Sequence, residues 1–149
     1  MPFSISHDAA DPVCYTIREG DVKVAVATDM GEYTDYTLSH LEDCEGMLLE
    51  ANHDINMLQA GSYPYQLKLR ILGKEGHLSN DACGRLLRRL VHYRLKHILL
   101  GHLSQENNYP ELAYETVRYE LAQEELAAED ELFLGVAGRM APTPPVFIN

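Results

Sequence analysis

Histidines and acids in this sequence collect just after short apolar runs. His102 follows Ile98-Leu99-Leu100-Gly101, Asp29 follows Val22 to Thr28, Asn52 and His53 close the run Gly46 to Ala51, and His7 follows the β-prone Met1 to Ser6. Neutral imidazole nitrogen and carboxylate oxygen suit zinc, manganese or iron, so side chains delivered in this way could converge on a divalent cation. Spacing alone leaves a second reading open, in which these histidines merely pack at strand ends. His40, His92 and His97 show no comparable placement, and His92 and His97, five residues apart, would face different directions on a helix. A serine hydrolase has little support. No Gly-x-Ser-x-Gly elbow is present, and Ser6, His7 and Asp8 are too close in sequence to form a triad by themselves.

The elements that must position these residues alternate between strand and helix. Val13 to Arg18 and Val22 to Thr28 read as strands joined by the tight turn Glu19-Gly20-Asp21. Gly46 to Ala51 and Ile98 to Leu100 are consecutive apolar runs of the kind that strands covered on both faces carry. Helices are expected over Thr34 to Cys44, from the cap Asp54 through Gln59, from Pro64 to Leu72, and after the cap Ser79, where Leu86, Leu87, Leu90 and Val91 recur at helical spacing. Pro110 opens another helix with Ala113, Val117 and Leu121 on one face, and Glu131 to Val136 is a last β-prone run. His77, in Gly76-His77-Leu78-Ser79-Asn80, lies just before a helix amino terminus.

Composition narrows the partners. At 149 residues the chain is about one domain, and its formal charge of -11 argues against gripping nucleic acid by a broad basic face. A nuclease remains compatible if bound cations supply the positive charge. The basic cluster Arg85, Arg88, Arg89, Arg94 and Lys96 is small and reads as a solvated helix face. No apolar run is long enough to cross a bilayer, and no membrane partner is expected. Cys14, Cys44 and Cys83 lie far apart without a Cys-x-x-Cys pair, so reduced thiols and a cytoplasmic setting are expected.

Several segments taken together carry a resemblance. They are Ser6-His7-Asp8-Ala9-Ala10-Asp11-Pro12, Thr28-Asp29-Met30-Gly31, Glu50-Ala51-Asn52-His53-Asp54, Gly61-Ser62-Tyr63-Pro64, Gly76-His77-Leu78-Ser79-Asn80 and His102-Leu103-Ser104-Gln105-Glu106-Asn107-Asn108. In this order they resemble the carboxyl-terminal half of metallo-β-lactamase-fold hydrolases of the YycJ (WalJ) type, in the branch that also holds ribonuclease Z. The resemblance implies an α/β (α+β) fold that is half of an αββα sandwich, a mixed sheet with helices on one face. Residues 1–138 are expected to form this half, and 139–149, with prolines at 142, 144 and 145, read as an extended tail. The resemblance further implies a site for two divalent ions, zinc or manganese, with His7 and His102 each ligating one ion and Asp29 bridging them. His77 would act as general acid. Asn52, His53, Asn80 and Asn107 would orient ligands or contact substrate.

One departure from the family qualifies the expected function. The cluster His-x-His-x-Asp-His, which supplies most ligands in this fold, does not occur in the sequence. Three ligands cannot close a two-metal site, so weak or absent metal binding and little hydrolysis are expected of the chain alone. The expected protein is a phosphodiesterase or nuclease, akin to a DNA exonuclease, present as a truncated or split chain. Its partner would be a separately encoded amino-terminal half, and its substrate a phosphodiester or nucleic acid. Without that half, uncovered apolar sheet predicts self-association. The alternative is a noncatalytic remnant serving as an interaction module.

Overall fold

The structure, a computed structural model, describes residues 1–91, 94–123 and 132–148. Among these, six strands form one sheet in sequence order: β1 (Pro2–Ser4), β2 (Val13–Glu19), β3 (Val22–Ala27), β4 (Gly46–Glu50), β5 (His97–Gly101) and β6 (Phe133–Val136). The first three pair antiparallel and the last four parallel. The hairpin between β2 and β3 turns at Gly20, whose φ of +57° side chains rarely adopt. The helices are α1 (Asp35–Leu41), α2 (Ile55–Ala60), α3 (Tyr65–Leu72), α4 (Asn80–Leu90) and α5 (Pro110–Leu121).

Topology explains why one face of the sheet is covered. Parallel neighbours laid down in sequence order, each joined by a crossover of the favoured right hand, send their helices to the same side. Cys14, Thr16, Ala25, Ala27, Met47, Leu49, Ile98 and Leu100 are buried on that side, in a core with Leu38, Leu86, Leu87, Leu90, Val117 and Leu121 from the helices. On the opposite face the residues in register across the sheet include Tyr15, Val26, Leu48 and Leu99. There Tyr15 is 49% and Ile17 57% exposed, so the described residues do not cover this apolar face completely. The expected half-sandwich with helices on one face is what the chain forms.

Local signals account for the helix ends, with one correction. Thr34, Asp54 and Ser79 each accept a hydrogen bond from a backbone N–H of the first turn. The helix expected over Thr34 to Cys44 stops earlier, at Leu41, because Glu42 is extended and Asp43 takes a left-handed φ of +59°. Val91 caps α4 and is only partly buried. Of the expected positions, His92 and Glu131 lie outside the described residues. Residues 137–148 hold neither helix nor strand, yet Ile148 rests on the open face of the sheet. A Cβ added to Gly46 would fall 2.3 Å from its Cδ1.

Candidate metal centre

The running order of the strands sets up the site. β1, β3, β4 and β5 all point the same way, so the residues that follow them meet at one edge, the carboxyl edge where α/β sheets hold their ligands. His7, Asp29, Glu50 and His102 arrive there from four strands, and the loop before α4 adds His77. Asp29 and His102 have φ of +61° and +55°, a region in which non-glycine residues are uncommon. Each turns sharply away from its strand, which aims its side chain over the edge.

Asp29 Oδ1 is the common centre. It lies 3.7 Å from His7 Nε2, 3.7 Å from His102 Nε2 and 3.7 Å from His77 Nδ1. The rings of His7 and His77 are 5.1 Å apart, and those of His77 and His102 5.3 Å. The three residues on which the metal expectation rested, His7, Asp29 and His102, are thus brought together, with His77 beside them.

Glu50 was missed by the sequence reading and organises the cluster. Its carboxylate is fully buried at the end of β4. Oε1 accepts from His102 Nδ1 at 2.7 Å and from His77 Nδ1 at 2.8 Å, and Oε2 accepts from the N–H groups of Met30 at 3.0 Å and Leu78 at 3.3 Å. Burial raises its pKa, but the bonds from His102 and His77 outweigh that effect and hold it below the ordinary carboxylate value. A carboxylate can only accept, so both Nδ1 atoms carry protons, and in the neutral rings both Nε2 atoms present lone pairs. The bond to Glu50 in turn raises the His102 pKa. His7 is fixed likewise, with Nδ1 3.0 Å from the Gly76 carbonyl oxygen and Nε2 left to face Asp29. The signal available in the sequence was an acidic residue inside an apolar parallel strand, which must find buried partners.

Glycines and asparagines bind the loops to one another. A Cβ on Gly31 would fall 2.1 Å from the Lys74 carbonyl oxygen, so only glycine lets the loop after β3 reach the loop that holds His77. Asn52 donates to the His102 carbonyl at 2.8 Å, supporting its unusual backbone. Asn80 and Asn108 are buried and exchange amide hydrogen bonds at 2.8 and 3.0 Å, and Asn108 also donates to the Ala51 and Asn52 carbonyls. Asn80 and Asn108 are therefore braces beneath the cluster. Asn107 is buried against Gly61, and His53 is buried with Nδ1 3.3 Å from Asn52 Oδ1 and Nε2 without a partner among the described residues. Burial pushes the His53 pKa down to about 4. His40 stacks on Phe3, and His97 lies near Phe133, apart from the cluster's contacts.

The donor set fits a divalent cation. Asp29, Glu50, His77 and His102 offer one ligand atom each within 4.8 Å of one another. Within that group Glu50 Oε1 and both Nδ1 atoms are already engaged in hydrogen bonds, and Asp29 Oδ2 accepts one from Thr28, leaving Asp29 Oδ1 and the Nε2 atoms without one among the described residues. A ligand histidine whose other nitrogen is held by a carboxylate or carbonyl is the usual second-sphere arrangement at metals. The basic cluster on and after α4 serves other ends. Arg85 and Arg88 pair with Glu120, Arg89 with Asp35 and Arg94 with Glu45. The three cysteines are free and buried, and no helix among the described residues is long and apolar enough to cross a membrane.

Comparison with known proteins supplies the family context. No family model matches the chain. It is 44% identical over 96 residues to exodeoxyribonuclease WalJ of Streptococcus pneumoniae, in both strain D39 and strain R6, and 36% identical over 96 residues to exodeoxyribonuclease YycJ of Bacillus anthracis. Each match covers 64% of this chain and 36% of the relative, so the chain spans little more than a third of the length of the curated relatives it matches. Homology of this strength, borne by a half-sandwich with histidines and acids gathered at its strand ends, is consistent with a YycJ/WalJ-type protein of the metallo-β-lactamase fold.

Proposed function

We propose that the chain carries part of the active site of a metal-dependent phosphodiesterase acting on DNA. The observation that carries this reading is the pair of imidazoles, His7 and His102, each with Nδ1 fixed by an oxygen and Nε2 3.7 Å from the same carboxylate oxygen of Asp29. His7 and His102 would each hold one of two divalent ions, zinc or manganese, and Asp29 would bridge them, because its two oxygens can face two cations. Bound ions of this kind neutralise charge on a phosphoryl oxygen and acidify water.

The remaining residues hold and move protons. Glu50 locks His102 and His77 in the tautomer that keeps Nε2 available. His77 is the general acid of this reading: as the imidazolium, with Nδ1–H held by Glu50, it would pass its Nε2 proton to the departing alkoxide and return to the neutral ring. Asn52 and Asn80 keep the loops in place, and His53 and Asn107 complete the support by filling buried space beneath them. Three ligands leave the site incomplete, so metal binding and hydrolysis by this chain alone would be weak. A separate segment bearing His-x-His-x-Asp-His would complete the site and cover the sheet face that exposes Tyr15 and Ile17. That open face also favours self-association when no such segment is present. Residues 1–138 act in this reading as the folded half and 139–149 as its tail, and buried reduced thiols suit the cytoplasm.

The test is complementation. The chain is mixed with a polypeptide carrying the histidine cluster, and hydrolysis of an end-labelled DNA is followed with added manganese or zinc. The mixture should cleave, with loss on Asp29→Asn or His102→Gln. A mixture that forms a complex, binds metal and leaves DNA intact would favour a noncatalytic interaction module instead.

A further inference from the structure

The cleft above the histidines, about 910 Å³ in volume, extends well beyond them. Two tyrosines, Tyr63 and Tyr109, line it, and each immediately precedes a proline that leads into a helix, Pro64 before α3 and Pro110 at the start of α5. Proline confines the residue before it to extended backbone, and Tyr109 sits at φ -151° and ψ 157°. The Tyr109 N–H donates to Asn108 Oδ1 at 3.0 Å, so the ring is rooted in the same buried amide brace that supports the site. Tyr109 is nonetheless half exposed, and among the described residues neither phenol makes a hydrogen bond. Rigid aromatic rings left facing an open cleft suit a flat ligand.

The charge lining this cleft points to the kind of ligand. On a chain of net charge -11 whose α4 arginines are paired with acids, the cleft is still lined by Arg70 and Arg139. Arg70 is bound to Asp8. Arg139 donates to the carbonyl of Leu103, the residue after His102, which holds its guanidinium next to the metal edge.

We infer that Tyr109, with Tyr63, is a stacking platform for the terminal base of an unpaired DNA strand end, while Arg139 contacts the phosphate beside it. This rests on the phosphodiesterase reading above and specifies its substrate as a frayed or single-stranded terminus. A planar base against a fixed ring adds affinity without reading sequence, which suits an enzyme that must accept each nucleotide in turn.

The test needs no catalysis. Binding of the chain to a single-stranded phosphorothioate oligodeoxynucleotide, labelled internally and resistant to cleavage, is measured by fluorescence anisotropy at low salt with manganese present. Tyr109→Ala should weaken binding about fivefold or more, and Tyr109→Phe should restore it. An oligonucleotide abasic at its ends should bind the parent chain more weakly by a similar factor, yet bind Tyr109→Ala no worse than the intact strand does. Arg139→Ala should reduce the salt slope by about 0.7. If the chain binds DNA but ignores both the tyrosine and the terminal base, this inference is wrong and the metal-site reading stands. If the chain binds no DNA even at low salt, the inference is overturned and the DNA substrate of the proposed function loses its support with it.

Discussion

Substituting Glu50 by glutamine separates the folding role of this carboxylate from its role at the metal edge. Both oxygens accept two N–H groups: Oε2 from the backbone of Met30 and Leu78, Oε1 from His77 and His102. An amide has only one accepting end. Whichever way it turns, its NH₂ confronts two donors, and one buried donor left unpaired costs about 1–3 kcal/mol. The backbone N–H groups cannot change, so the carbonyl should face them and the NH₂ should face the imidazoles. His77 and His102 can relieve the clash by moving their protons from Nδ1 to Nε2. That exchange limits the loss of stability to about 2 kcal/mol, but it places an N–H where His102 should offer a lone pair to a cation. Glu50→Gln should therefore remain folded and lose about 10- to 100-fold in affinity for manganese or zinc. Nitrogen-15 correlation spectra of the imidazoles report the tautomer directly, and denaturant titration and calorimetry give the stability and the metal affinity. If both rings kept bare Nε2 atoms and the affinity were unchanged, the claim that Glu50 sets their tautomer would be refuted.

Three further outcomes follow from the packing and electrostatics. Gly31→Ala should destabilise the fold by about 3 kcal/mol in urea titrations, since its Cβ would meet the backbone of Lys74 and Gly76, which cannot step aside; a stable variant would show that these loops are not clamped. His53 titrates near 4 in the folded chain against an ordinary 6.5, so between those pH values the unfolded chain binds more protons and stability falls as pH falls. The loss attributable to His53 approaches about 3 kcal/mol by pH 4, and the difference between parent and His53→Gln over a pH series should follow it; parallel curves would contradict the burial of a neutral ring. Ile17→Lys places a charge on the open sheet face and should shift sedimentation profiles toward monomer, whereas a parent chain that is already a clean monomer would show that the face does not drive association.

How far the sequence could be read depended on how local each cause was. The parallel strands were legible because Gly46 to Glu50 and Ile98 to Leu100 are short consecutive apolar runs, and the caps at Asp54 and Ser79 act within one helical turn. His7, Asp29, Asn52, His53 and His102 were noticed because each follows a strand-like stretch. The choice of His7, Asp29 and His102 as ligands came from the family resemblance, and the common strand direction brings those three to one edge. Glu50 escaped notice because its meaning lies in partners 27 and 52 residues away, which no spacing pattern reveals. The early end of α1 depends on a left-handed Asp43, a conformation that its residue type permits but does not demand. The seat of Ile148 on Gly46 is a contact between distant segments and has no local signature.

The central claim, that His7, Asp29 and His102 form a cradle for cations, is tested most directly by adding substoichiometric manganese and watching paramagnetic broadening of the histidine ring signals. His7, His77 and His102 should broaden first, and Asp29→Asn should abolish the effect. Broadening that reached His40 and His97 equally, or that persisted unchanged in Asp29→Asn, would contradict the account.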